Sequence, residues 1–123
     1  MKLKDLVRAY NFHDSSIVSM KCNAEERVLN ISIEISALMQ NSPDSDTEDL
    51  AVVDFVFHNS NCIDNPEQYY DAEILKCDVI EHEGADELHL TVELWLDKRQ
   101  GRRTDTLHTL MIRAESVLIC QTK

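Results

Sequence analysis

From Ser16 onward, apolar and polar positions alternate with a period of two, the signature of strands with one dry face and one wet face. Val18, Met20 and Cys22 alternate with Ser19 and Lys21, and the run ends at Asn23-Ala24-Glu25-Glu26, which predicts a hairpin turn. Leu29, Ile31, Ile33 and Ile35 then interleave with Asn30, Ser32, Glu34 and Ser36 in the clearest alternation of the chain. A third strand is predicted over 50–57, where Val53, Phe55 and Phe57 share a face; Val52 and Val56 around Asp54 predict that its other face is covered too. A fourth follows over 73–83 and a fifth over 87–97, with Leu88, Leu90, Val92, Leu94 and Leu96 all facing one way. The last predicted strand runs from 106 to about 120 as one element, with Leu110, Ile112 and Ala114 alternating before Val117-Leu118-Ile119. Before Ser16 the period is different. Leu3, Leu6, Val7 and Tyr10 fall at i, i+3, i+4 and i+7, which predicts a short amphipathic helix over 2–10.

The connections are short and polar. Asn41-Ser42-Pro43-Asp44-Ser45-Asp46-Thr47-Glu48-Asp49 has turn chemistry, four acids and no base, so it is expected to be an exposed, mobile loop. The stretch 58–71 reads as irregular, with a turn at Asn65-Pro66 and a helical turn through Glu67-Gln68-Tyr69-Tyr70. Glu83-Gly84-Ala85-Asp86 reads as a turn, and Lys98-Arg99-Gln100-Gly101-Arg102-Arg103 as a hairpin tip carrying the one dense basic cluster. Six runs joined by short turns, with almost no helix between them, predict a mainly β (α+β) single domain over 1–123. It has a short N-terminal helix followed by an antiparallel sheet of about six strands, barrel-like or sandwich-like.

Composition narrows the function classes. A chain of 123 residues with 43% hydrophobic residues and only 2 Gly and 2 Pro can bury one core without a metal or disulfide staple. Its 23 acids against 12 bases give a net charge of −11, which repels phosphate backbones and anionic lipid; nucleic acid and membrane are therefore not expected as partners. The same field speeds encounter with a basic protein, although acidity also serves solubility alone. With no basic-then-apolar leader and no apolar run approaching the ~18 residues that span a bilayer, a cytoplasmic protein is expected. In that compartment Cys22, Cys62, Cys77 and Cys120, none of them in a Cys-x-x-Cys pair, are expected to be reduced thiols.

Candidate chemistry centres on Phe12-His13-Asp14-Ser15-Ser16-Ile17. Adjacent side chains diverge in a turn and alternate in a strand, so His13, Asp14 and Ser15 cannot by themselves form a triad, and no Gly-x-Ser-x-Gly elbow supplies a nucleophile elsewhere. No catalytic residue is assigned. The structural reading makes the motif a helix-to-strand junction: Asp14 or Ser15 accepts backbone N–H bonds while Phe12 and Ile17 anchor both sides. The alternative is a small-ligand or metal-binding pocket using His13, Asp14 and perhaps His58. Glu81-His82-Glu83 and Asp86-Glu87-x-His89 carry ligand types that suit a divalent ion, but they match no recognised spacing and read as a solvated acidic hairpin. With Gly84 and Gly101 as the only glycines there is no phosphate-cradling loop, and no cofactor is expected.

The Phe12-His13-Asp14-Ser15-x-Ile17 motif followed by an alternating hairpin resembles the opening of small bacterial β-domain families that begin with a Phe-His-Asp-Ser signature, some associated with toxin-immunity gene neighbourhoods. The likeness extends loosely through Phe57-His58-Asn59-Ser60-Asn61-Cys62-Ile63 and Ala114-Glu115-Ser116-Val117. It implies a small β-rich domain that binds a protein, and assigns no catalytic residue. The expected function is therefore a non-catalytic, immunity-type domain that masks a basic toxin through carboxylates, among them Asp44, Asp46, Glu48 and Asp49 and those of 64–73. An uncharacterised scaffold or homo-oligomer built on an unpaired strand edge is the remaining alternative.

Overall fold

The structure, a computed structural model, describes residues 1–36, 50–82, 84–94 and 107–121. The described elements are helix α1 (Leu3–Ala9) and strands β1 (Ser15–Asn23), β2 (Val28–Ser36), β3 (Leu50–His58), β4 (Glu73–His82), β5 (Ala85–Glu93), β6 (Leu107–Arg113) and β7 (Ser116–Gln121), with a 3-10 turn at Pro66–Tyr69. Apart from that helix and turn, the described elements form one antiparallel sheet in the order β6-β5-β4-β1-β2-β3-β7.

The sheet is not closed into a barrel. β1 and β4 share only two residue pairs, Ser15 with Ile74 and Ser16 with Glu73, at the start of both strands. β1–β2–β3–β7 and β4–β5–β6 are each continuous ladders. Buried side chains of both ladders belong to one core cluster, a sandwich-like or open arrangement, and α1 touches β4, β5 and β7. Leu3 and Leu6 of α1 are buried, as are Met20, Ile31, Phe55 and Phe57 from one half and Leu88, Leu90, Val92 and Ile112 from the other. At about 1.5–3 kcal/mol for each such side chain, this burial is the main term opposing chain entropy.

Three local features depart from simple alternation. In β1 the register shifts between Ile17 and Ser19. This bulge turns Val18 outward, 40% exposed, so Ile17 and Met20, three residues apart, both reach the core. The predicted last strand is two strands. It leaves the sheet at Ala114-Glu115, β6 pairing with β5 and β7 with β3 at the opposite edge. The outward face of β3, with Val52, Asp54 and Val56, is half-buried, and Asp54 accepts a hydrogen bond from the Ser32 hydroxyl across the ladder.

The cysteine expectation is corrected. Cys22 and Cys62 form a disulfide, with Cα atoms 5.8 Å apart and a sequence separation of 40. Pairing Cys22 near the end of β1 with a residue of the irregular 59–65 segment needs the sheet's return path, which spacing in the sequence does not reveal. Cys77 and Cys120 are free thiols.

Candidate functional site

The motif that draws attention in the sequence is a tight turn between α1 and β1. The Ser15 N–H donates to the Phe12 carbonyl at 3.0 Å, closing a four-residue turn in which Asp14 is left-handed (φ 66°), a conformation that Asp tolerates better than most residues. The Asp14 N–H donates to the Ile74 carbonyl of β4 (3.0 Å), and the Asn11 side chain accepts the His13 N–H (3.1 Å). Phe12 is buried, with its ring 5.4 Å from Phe55 and 6.1 Å from Tyr10. The turn is thus fastened on one side by backbone bonds to β4 and on the other by an aromatic cluster.

The side chains of the triplet diverge. His13 Nδ1 lies 3.1 Å from Asp14 Oδ2 with both side chains 57% exposed, whereas Ser15 is buried on the core side. An exposed imidazole–carboxylate pair with its neighbouring hydroxyl turned inward has no nucleophile to activate. His13 does line an open cavity of about 320 Å³ with Val7, Tyr10, Phe12, Lys76 and Cys77. In that cavity burial, with Asp78 adding to it, pushes the Cys77 thiol up to about 12, so it is held as a thiol.

His58 does not join this group. It pairs with Val28 and Ser116 at the end of the ladder where β1 finishes, while the turn sits where β1 begins. The β1 strand of nine residues separates them by roughly 25 Å. Asp44, Asp46, Glu48 and Asp49 lie outside the described residues, as do Glu83 and the basic tip at 98–103. The hairpin register also separates His82, opposite Ala85, from His89, opposite Asp78. Their backbones are four positions apart along β4, about 13 Å. Among the described residues no group of three or more His, Cys, Asp or Glu is arranged to hold a metal ion.

The most tightly built polar arrangement lies on the outward face of β5 and β6. Glu87 is buried (8% exposed); its Oε2 accepts from Arg113 Nη2 (2.9 Å) and Nε (3.2 Å), and its Oε1 lies 2.6 Å from His89 Nε2. The Arg113 bonds, then the His89 contact, hold the Glu87 carboxyl below its usual range against the opposing effect of burial. Next to this network, Lys76 pairs with Asp78 at 3.4 Å, and Asp78 lies opposite His89 in the β4–β5 ladder. The Glu87-x-His89 spacing, one face of one strand, was visible in the sequence; Arg113, on a strand placed by a corner, was not.

The acidic segment 64–73, read from the sequence as a turn at Asn65-Pro66 followed by a helical turn, folds into a corner around the 3-10 turn Pro66–Tyr69. Asn65 and Asp71 are left-handed (φ 49° and 63°) and bracket the 3-10 turn. Tyr69 is buried with its ring 6.2 Å from His108 of β6, and the Asp71 N–H donates to the Ile17 carbonyl. Burial, and then Asp64, raise the Tyr69 phenol. Asp64, Glu67 and Asp71 are exposed on this corner.

This is a mainly β, sandwich-like domain with a polar network on one outer face and an ordered acidic corner. Among the described residues no helix is long and apolar enough to cross a membrane. Comparison of the chain with protein-family models, curated proteins and solved structures returns no match.

Proposed function

We propose that the domain is a non-catalytic protein-binding module whose acidic surface engages a basic partner, in an immunity-type role that neutralises a toxin by masking it. The observation that carries this reading is the ordered acidic corner: residues 64–73 contain four acids and no base, and Asp64, Glu67 and Asp71 are exposed on a turn anchored by buried Tyr69. Carboxylates on a fixed backbone lose less conformational entropy when paired with Arg or Lys than carboxylates on a loose loop. Within a chain of net charge −11 they also sit in a field that draws in cations. Asp44, Asp46, Glu48 and Asp49 would add a second carboxylate group to the same recognition.

The test is capture of a basic protein by the full chain, followed by co-expression of that partner with and without it. D64K and E67K together should slow association at least tenfold at low salt, with the difference shrinking at high salt. Toxicity unaffected by co-expression, or binding indifferent to both salt and the substitutions, would end this reading.

One observation favours a small-ligand reading, the cavity beside His13. A ligand there would raise the melting temperature of the wild-type chain but not of H13A, and a ligand screen without such a pair removes the alternative.

A further inference from the structure

The segment following β3 does more than connect. After His58 the chain turns through left-handed Asn59 (φ 56°), and Asn61 then runs along the edge of β6 that faces away from β5. The Asn61 N–H donates to the Arg113 carbonyl (3.2 Å), its Nδ2 donates to the Met111 carbonyl (3.1 Å), and its Oδ1 accepts the Arg113 N–H (2.9 Å). One asparagine thereby occupies three backbone groups on the free edge of a strand, where a further strand would otherwise pair.

The next residue, Cys62, is covalently bound to Cys22 of β1. The disulfide therefore fixes the position of Asn61, and with it the covering of the β6 edge. Cys62 is exposed, whereas Cys22 is half-buried and packs against the core. The ladders that build the sheet, β1 with β2 and β2 with β3, do not run through the 59–65 segment. Breaking the bond removes the connector's covalent tie next to Asn61 and leaves those ladders paired, with the Ser60 N–H on the Arg27 carbonyl (2.8 Å) and the Asn59 amide on Glu115 (2.7 Å) as the ties before it.

The geometry points to a redox latch: the Cys22–Cys62 disulfide holds Asn61 on the β6 edge, and its reduction by a dithiol uncovers that edge. A thiolate of the dithiol attacks the exposed Cys62 sulfur; the S–S bond breaks and Cys22 leaves as a thiolate that takes a proton. The second thiol of the reductant then attacks the mixed disulfide, releasing Cys62 as a thiol. Two electrons have moved to the chain, which now holds two thiols, and the dithiol has become a disulfide. With the connector free, the Met111 carbonyl and the Arg113 N–H are bare beside the exposed side chains of Leu107 and Met111 (58% and 53%). This switch goes beyond the protein-binding reading and does not depend on it.

Amide hydrogen exchange on the full wild-type chain, oxidised and then reduced with dithiothreitol under native conditions, tests the latch. Alkylation and mass measurement should count two new thiols, reversibly, and the Arg113 amide should accelerate about tenfold or more beyond the factor by which Ile31 and Phe55 accelerate through the lost cross-link's share of global stability. N61A with the disulfide intact should accelerate the same Arg113 amide. The proposal is overturned if the bond yields only after unfolding, if reduction leaves Arg113 exchange unchanged, or if Arg113 accelerates by no more than the factor common to Ile31 and Phe55, since the disulfide would then act only as a staple of the whole fold.

Discussion

Replacing Phe12 and Phe55 by leucine, singly and together, measures how firmly the α1–β1 junction is anchored in the core. Phe55, fully buried in β3, stands edge-on to Tyr10 (5.4 Å, 90°) and to Phe12 (5.4 Å, 70°), and Tyr10 stacks on Phe12 at 6.1 Å. Each such ring pair contributes about 0.5–1.5 kcal/mol beyond the area it buries. Either single substitution forfeits two pairs, hence about 1–3 kcal/mol, and leucine avoids the ~3–5 kcal/mol that alanine would cost through an open cavity. The double variant loses the Phe12–Phe55 pair only once, so the cycle should return a coupling of about 1 kcal/mol. Urea unfolding followed by far-UV dichroism provides the assay, with constant m-values as the check that the denatured state is unchanged. A coupling below about 0.3 kcal/mol would refute the reasoning. The rings would then be neighbours without being a clasp, and the fixed turn at His13-Asp14-Ser15 would need another cause.

Other expectations follow from the same geometry. C22S/C62S should lower unfolding free energy by about 4 kcal/mol, the loop-closure value for a bond spanning 40 residues; a loss under about 1 kcal/mol in chemical denaturation would show that the bond does not act on the unfolded chain. Asp14 is left-handed, so D14G should be near neutral and D14A should cost about 1 kcal/mol more than D14G, read from paired unfolding curves. Glu87 has a carboxyl lowered by Arg113 and His89, so its stabilisation is complete above the ordinary carboxylate value of about 4.3 and is lost as pH falls through the lower folded-state value. E87Q should accordingly flatten the acid limb of the stability profile, and an acid limb as steep as wild type would count against the network.

The strands with a wet and a dry face were legible because burial on one side writes period two into the residues: Leu29 to Ile35 and Leu88 to Leu94 occupy the core as their alternation predicts. The helix was equally plain, since Leu3 and Leu6 lie on one face. At Val18 the alternation misleads, because a bulge inserts one residue and inverts the phase, and the sequence carries no glycine or proline there to mark it. The corner at Ala114-Glu115 also inverts the phase, from inward Leu110 and Ile112 to inward Val117, and it was hidden because Val117-Leu118-Ile119 is apolar at every position. Of the candidate residues, His13, Asp14 and Ser15 lie in the turn between helix and first strand, where the N–H groups of the triplet donate to the Asn11 side chain and to the Ile74 and Phe12 carbonyls, partners the spacing does not name. The Cys22–Cys62 bond and the Asn61 contacts escaped because both depend on where a connector passes, a property of the whole chain path.

The Ala114-Glu115 corner also sets when the two sides of this sheet can be covered during synthesis. β6 and β7 cover the outer edges of β5 and β3, at opposite ends of the strand order, and both come from residues 107–121. Until the ribosome has released that segment, the emerging chain presents two raw strand edges at once, each a template for pairing with a neighbouring chain. A single late segment then seals both. Stop codons and slow translation near Leu107 should therefore be far more damaging to yield than the same events in a protein whose edge strands are made early.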